Sequence, residues 1–324
     1  MNMPRTFLAL SLCVVLCCGP ALAQVKNPIR EDNIRAELGF LASDAMQGRG
    51  SGTNYERVAA EYIGSQFRQF GLEPAGDTDS AGNKTFVQRV PTKTEGSATW
   101  NVIGVLRGSN PRGASEVIML SAHLDHLGVN ESLSGDKIFN GADDDASGCV
   151  AVLEMARVLA SGKRPKRTIY FVCFGSEERG GFGSRYFIAN PPVPLEQIVA
   201  DITFEMLGRP DPKVPAGTLW LTGFERSTLG PELARQGASL VADPHPEQNF
   251  FRRSDNYPLA LRGVIAHTIS SFGLHTDYHR VSDEVGKIDF PFMTRSLNSL
   301  VKPIRWFANS NFRPAWLPGK APTR

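Results

Sequence analysis

Carboxylates and imidazoles recur at the ends of apolar runs in this chain, and those places are where its chemistry must lie. VIMLSAHLDH ends on His123, Asp125 and His126; TIYFVCFGSEE ends on Glu177 and Glu178; DITFEMLG carries Glu205. GADDDASG, residues 141–148, sets three aspartates side by side ahead of the apolar run CVAVLEMARVLA. HTDYHRVSDE adds His275, His279 and Asp283 towards the C-terminus. That many carboxylates gathered in one place could not all stay ionised without a cation. Oxygen and imidazole donors together suit zinc, with manganese or cobalt as substitutes.

Two other chemistries are weaker. Asp143, Asp145, Ser147, Gly148 and Glu154 fall at positions 1, 3, 5, 6 and 12 of a calcium-binding EF-hand loop. Such a loop needs an incoming helix, and ESLSGDKIFNG ahead of Ala142 is loop-like. A helix starting near Ser147 puts Glu154 on that helix rather than at the close of a loop. Ser184 and Ser254 lack the Gly-x-Ser-x-Gly context of a nucleophile elbow, which argues against a serine hydrolase. Gly48-Arg49-Gly50 does not follow a strand, so MQGRGSGT is not a phosphate loop.

The elements that must position these residues alternate between strand and helix. Strand-like runs cover residues 101–106, 117–123, 168–174, 198–206 and 218–223, and TFVQRV is a short extended piece. Helical spacing covers 33–41, 55–70, 148–160 and 291–309, the last with Pro303 placed to kink it. Strands apolar on both faces that alternate with helices indicate an α/β fold with a largely parallel core. Ligands of such sheets bind beyond the carboxyl ends of the strands. His123, Glu177, Glu178 and Glu205 stand at such ends, and GADDDASG lies at the mouth of a helix.

Bulk properties narrow the setting. Lys+Arg 35 against Asp+Glu 33 leaves no basic excess, so nothing suggests nucleic-acid binding. MNMPRTFLALSLCVVLCCGPALAQ reads as a signal peptide, residues 1–23, cleaved after Ala23. Residues 24–324 then form one catalytic domain, secreted or periplasmic and free of the membrane after cleavage. Cys17 and Cys18 hint at a lipidation site, but Leu16 is a poor match to its small-residue pattern. After cleavage only Cys149 and Cys173 remain, each in an apolar run, and both read as buried thiols.

His123-Leu-Asp125, the 141–148 stretch, Ser176-Glu-Glu178 and Tyr278-His279, taken in that order, resemble the motifs of the secreted di-zinc aminopeptidases. Bacterial leucyl aminopeptidases belong there, with glutamate carboxypeptidase and glutaminyl cyclase as relatives. The resemblance also takes in LASDAMQGRGSGT and RSDNYPLALRGV. It implies a three-layer α/β/α zinc-exopeptidase fold with a mixed, mostly parallel central sheet, and two Zn²⁺ per chain. His123 and Glu205 would bind one zinc, Glu178 and His279 the other, and Asp144 would bridge them. Asp125 would hold the His123 imidazole, and Glu177 would be the general base. The substrates implied are peptides with a free N-terminus; a carboxypeptidase or glutaminyl cyclase is the alternative within the family. From another class, the chain could be a catalytically silent binding module, which filled ligand positions and Glu177 argue against.

The family pattern of a histidine followed four residues later by an acid favours His279, followed by Asp283, over His275. Two positions depart from relatives. Glu205 stands where many have Asp, and Phe251 where some have a Tyr that touches the reaction intermediate. An oxyanion donor must then come from elsewhere, with Tyr257 and Tyr278 as candidates. Phe250, Phe251, Tyr257, Phe272 and Leu274 are available for an apolar substrate pocket, or for the core. Of the three aspartates, Asp144 should face the metals while Asp143 and Asp145 point away. Asp145 then caps the helix near Ser147. The resemblance also implies a cis peptide between Asp144 and Asp145.

Overall fold

The computed structural model describes residues 28–93, 96–110 and 115–323. The signal peptide expected at residues 1–23 lies outside them. No helix among the described residues is long and apolar enough to cross a membrane.

Nine strands form one sheet. Its centre is four parallel strands in the order β7 (Thr168–Phe174), β4 (Val117–His123), β8 (Ile198–Phe204) and β11 (Ala266–Ser270). β3 (Ala98–Leu106) closes one side antiparallel to β7 and carries β1 (Glu73–Pro74) and β2 (Val87–Pro91). On the other side β9 (Leu219–Leu221) runs antiparallel to β11 and pairs with β10 (Leu240–Ala242). β5 (Gly128–Val129) and β6 (Ile138–Phe139) make a separate ribbon.

Alternation along the strands divides the core into two layers. In β4, Ile118, Leu120 and Ala122 face α1 (Glu31–Leu41), α2 (Asn54–Gln69), α3 (Ser147–Ala160) and α7 (Phe290–Asn309). Val117 and Met119 face the opposite layer, where α4 (Phe182–Ala189) and α6 (Asn256–Ala260) lie. α5 (Leu229–Arg235) packs with β10 and α7. Because successive side chains alternate, His123 falls on the α4/α6 side.

The strands expected at 117–123 and 168–174 and the helices around 148–160 and 291–309 are present. α7 continues through Pro303 to Asn309 as one helix rather than breaking there. β11 was not legible because its pattern mixes apolar with polar residues. His267 is buried there, its ring bonded to the Thr222 carbonyl at 2.7 Å and the Ser227 hydroxyl at 2.7 Å.

Candidate metal centre

Register brings the strand ends level. His123 pairs with Phe174, and Ser121 pairs with Thr203, so the turns carrying Glu177, Glu178 and Glu205 leave the sheet beside His123. A wide turn, Ala142–Ala146, brings the aspartates to the same edge and runs into α3. The peptide bond between Asp144 and Asp145 is cis.

The three aspartates have separate fates. Asp143 accepts from the Gly208 N–H at 2.7 Å and lies 2.9 Å from His275 Nε2. Asp145 accepts from the N–H groups of Gly148 at 3.0 Å, Met206 at 3.1 Å and His123 at 3.2 Å. Asp145 thus serves the opening of α3, as expected of a capping residue, and braces two other strand ends as well. Asp144 meets imidazoles instead. Its Oδ1 lies 3.2 Å from His123 Nε2 and its Oδ2 lies 3.2 Å from His279 Nε2. His279 Nε2 is also 3.2 Å from Glu178 Oε1. The structure therefore separates the two C-terminal histidines: His279 joins the cluster, and His275 holds Asp143.

Asp125 meets His123 through its carbonyl, its carboxylate standing further off and doing other work as well. The His123 Nδ1 hydrogen bond goes to the Asp125 carbonyl at 3.2 Å, with the carboxylate 3.7 Å away. That carboxylate is claimed by the backbone N–H groups of Glu177 at 2.9 Å and Glu178 at 3.3 Å and by the Ser51 hydroxyl. Asp125 shapes the turn that presents both glutamates.

Electrostatics follow from burial and crowding. Burial opposes charge on Asp144, yet the His123 and His279 imidazoles, with His126 behind them, hold it well below the ordinary carboxylate range. Burial also works against a charged His123, but Asp125, Asp144, Asp145 and Glu177 hold its ring well above the usual value. Burial pushes Glu205 up to about 7 and Glu177 well above its usual range.

Asp144, Glu177, Glu178 and Glu205 line one cleft with Met206, Trp220, Phe250, Phe272, Arg253 and Tyr278. Trp220 and Phe250 stack at 5.4 Å, and Phe272 packs against Phe250. Of the apolar pocket residues expected, Phe250 and Phe272 are therefore present. Phe251 and Tyr257 pack in the α4/α6 layer, and Leu274 is exposed. Tyr278 stacks on His279 at 3.9 Å and its hydroxyl lies 3.4 Å from Arg253.

Several supports escaped the sequence reading. Asp283 accepts the N–H groups of Asp143 and Asp144 at 3.1 Å. Arg209 bonds Asp277 at 2.6 Å and reaches Asp143. Arg49, fully buried, donates to the carbonyls of Leu41, Leu124, Asn140 and Gly141. The spacing from the four-residue rule found Asp283 but not its task. Nothing in the order of residues marks a buried arginine as a brace for distant carbonyls. Glu154 pairs with Arg157 at 2.6 Å on α3, which removes it from any calcium loop. Cys149 and Cys173 are buried free thiols.

The donor set fits a metal. Asp144 Oδ2, Glu205 Oε2, His126 Nε2 and His279 Nε2 are buried polar atoms without a hydrogen-bond partner, and His126, Asp144 and Glu178 offer ligand atoms within 4.8 Å of one another. Unpaired buried polar atoms are costly, and here they converge with the oxygen and nitrogen chemistry zinc prefers.

Residues 101–301 match the profile of peptidase family M28. The chain belongs to this family. Leupeptin-inactivating enzyme 1 of Streptomyces exfoliatus is 30% identical over 186 residues, 56% of this chain and 36% of its own length. The match thus spans about a third of that relative's length. Among solved structures, a zinc aminopeptidase of Bacillus subtilis superposes with a TM-score of 0.67 at 16% identity, covering 88% of this chain and 97% of its own. The glutaminyl cyclase of Porphyromonas gingivalis gives 0.64 at 19% identity, covering 86% and 98%. At these identities the two structures establish the fold: a three-layer α/β/α arrangement around a mixed, centrally parallel sheet.

Proposed function

We propose that this M28 chain is a zinc-dependent aminopeptidase that binds two Zn²⁺ and releases N-terminal residues from peptides. The observation that carries the reading is Asp144. Each of its oxygens meets a different imidazole at 3.2 Å, the disposition of a carboxylate shared between two cations. His123 and Glu205 would hold one ion, Glu178 and His279 the other. Zinc held there would supply Lewis acidity to a water and to the scissile carbonyl.

The chain's own residues do the rest. Glu177, raised by burial, takes the proton of the attacking water and delivers it to the leaving amine. Asp125 fixes the backbone of Glu177 and so its reach. Arg253 and Tyr278 offer donors at the cleft for the developing oxyanion. The Trp220–Phe250–Phe272 wall excludes water and favours an apolar N-terminal side chain. Export through residues 1–23 belongs to the same reading, and sequencing a mature chain that begins at Gln24 tests it.

The decisive assay uses the mature chain with aminoacyl-arylamides, N-blocked peptides, C-terminal peptide substrates and peptides beginning with glutamine, with and without chelator. Chelator-sensitive cleavage of free N-termini is expected. Cleavage only of blocked peptides, or activity indifferent to chelation, defeats the reading. Ammonia release from N-terminal glutamine, without hydrolysis, assigns the cyclase reaction instead.

A further inference from the structure

His126 is the one imidazole of the cluster that the proposed ligand set leaves over. It is fully buried, and its Nδ1 lies 3.0 Å from Glu178 Oε1 and 3.9 Å from Asp144 Oδ2. Two histidines therefore meet the same glutamate oxygen, and they meet it differently. His279 Nε2, 3.2 Å from both Glu178 Oε1 and Asp144 Oδ2, has hydrogen-bond geometry with neither. It stands equally far from the two oxygens without bonding either, a disposition that suits a ligand of a shared cation. His126 Nδ1 has hydrogen-bond geometry to Glu178 Oε1. With Nδ1 protonated this contact is a hydrogen bond to the oxygen, and His126 stands with Asp144 and Glu178 in a group whose ligand atoms lie within 4.8 Å of one another, so the imidazole's task, donor or ligand, is what the test must separate.

The frame around His126 is as specific as the contact. Its backbone N–H donates to the Arg49 carbonyl at 3.1 Å, and it bridges to Gly50. Its ring packs on Gly141, where a Cβ would come within 2.6 Å of two ring atoms and where φ is +58°. The Arg49 guanidinium, meanwhile, binds the carbonyls of Leu124 and Gly141 on either side. MQGRGSGT, which is no phosphate loop, thus clamps the segment that carries His126.

We propose that His126 is a positioning residue: its Nδ1–H holds Glu178 Oε1 so that the remaining lone pair of that oxygen faces the ion shared with His279. This inference rests on the two-metal reading. Outer hydrogen-bond partners of metal-bound groups are worth about 10–100-fold in metal affinity. One site should therefore weaken by about that factor when His126 is lost, while the His123–Glu205 site keeps its affinity.

The test is a zinc titration of the metal-free chain against a chromophoric chelator, for wild type and His126→Leu, His126→Gln and His126→Asn. Asparagine places an N–H close to where Nδ1–H stood; glutamine places its N–H nearer the Nε2 position. The Leu and Gln variants should each lose affinity at one site, and Asn should restore most of it. The cobalt-loaded chains should follow the same pattern in their visible absorption. If Leu or Gln binds both ions as wild type does, His126 only packs. If Asn is as weak as Gln, the hydrogen bond is not what matters, and direct ligation by the imidazole replaces it. Thermal unfolding of the metal-free variants checks that each is folded, and Gln keeps the test alive should Leu not fold. Wild type holding fewer than two ions would defeat the two-metal reading; two ions with unaltered affinity in the variants defeats only the role of His126.

Discussion

Asp144 and its two neighbours in sequence share a charge and a burial but not an environment. Asp143 and Asp145 have their oxygens met by backbone N–H groups and, for Asp143, by Arg209 and His275. Asp144 Oδ2 has no hydrogen-bond partner, and only imidazoles approach the carboxylate. The flanking pair are structural acids that tie the turn to β4, α3 and the loop after β8. The middle one is withheld from that work. A buried carboxylate met by imidazoles and by no backbone N–H suits a cation.

The largest effect should come from removing the withheld acid. Asp144→Asn should empty both sites, seen by elemental analysis, and reduce peptide hydrolysis to background. Its metal-free thermal stability should fall less than on loss of Asp143, since the change removes the pairing with the His123 and His279 imidazoles but strands no backbone N–H. Next comes Glu177→Gln, which should keep its zinc yet lower kcat by about 10²–10⁴-fold, the range of a general base. Unchanged turnover would take Glu177 out of the mechanism.

Asp143→Ala reverses the pattern. It strands the Gly208 N–H and removes a partner from Arg209 and His275. Each buried group left unpaired costs about 1–3 kcal/mol, so metal-free unfolding should occur at a clearly lower temperature. If Asp144→Asn destabilises the metal-free chain as much as Asp143→Ala does, the contrast between the two aspartates is wrong.

The smallest effect sharpens the comparison from outside the site. Glu37, on α1, also has a buried oxygen without a partner, but its charged neighbours are Glu154 and Arg157 rather than imidazoles. Burial, with Glu154 adding repulsion and Arg157 relieving some, raises it from 4.5 to about 9. Here the folded value exceeds the unfolded one. Its contribution to stability is therefore complete below about 4.5 and is lost as pH rises towards about 9. Glu37→Gln should flatten the denaturation midpoint between those limits in the metal-free chain. An unaltered pH profile would show that Glu37 does not carry its proton into neutral solution.

Much of this was legible because it is written locally. His123, Glu177, Glu178 and Glu205 follow directly on apolar strands, and a strand end is a place on the sheet edge whatever the rest of the fold does. The four-residue spacing separated His279 from His275, and the structure then sets them 3.2 Å from Asp144 and 2.9 Å from Asp143 respectively. Less was readable where partners are remote. The carboxylate of Asp125 turned towards N–H groups some fifty residues away, at Glu177 and Glu178, rather than to the ring two residues before it alone. Arg49 and Arg209 carry no signal of their own, and His126, though it stands beside the ligand triplet, shows nothing locally of which carboxylate it meets, because their partners are carbonyls and carboxylates on other loops. Phe251 left the expected pocket for the opposite layer, and Trp220 entered from a strand not assigned to it.

Residue types and their order were sufficient for the α/β class, the carboxyl edge that carries the site, and a donor set of oxygen and imidazole. These depend on strand periodicity and side-chain chemistry, which operate over a few residues. Only the tertiary structure decided which groups hold Asp143 and Asp145 away from Asp144 and which glutamate oxygen His126 meets. Those outcomes depend on where each carboxylate finds hydrogen donors. The donors come from β4, from the loop after β8 and from the segment before α7, brought together only when the sheet is complete.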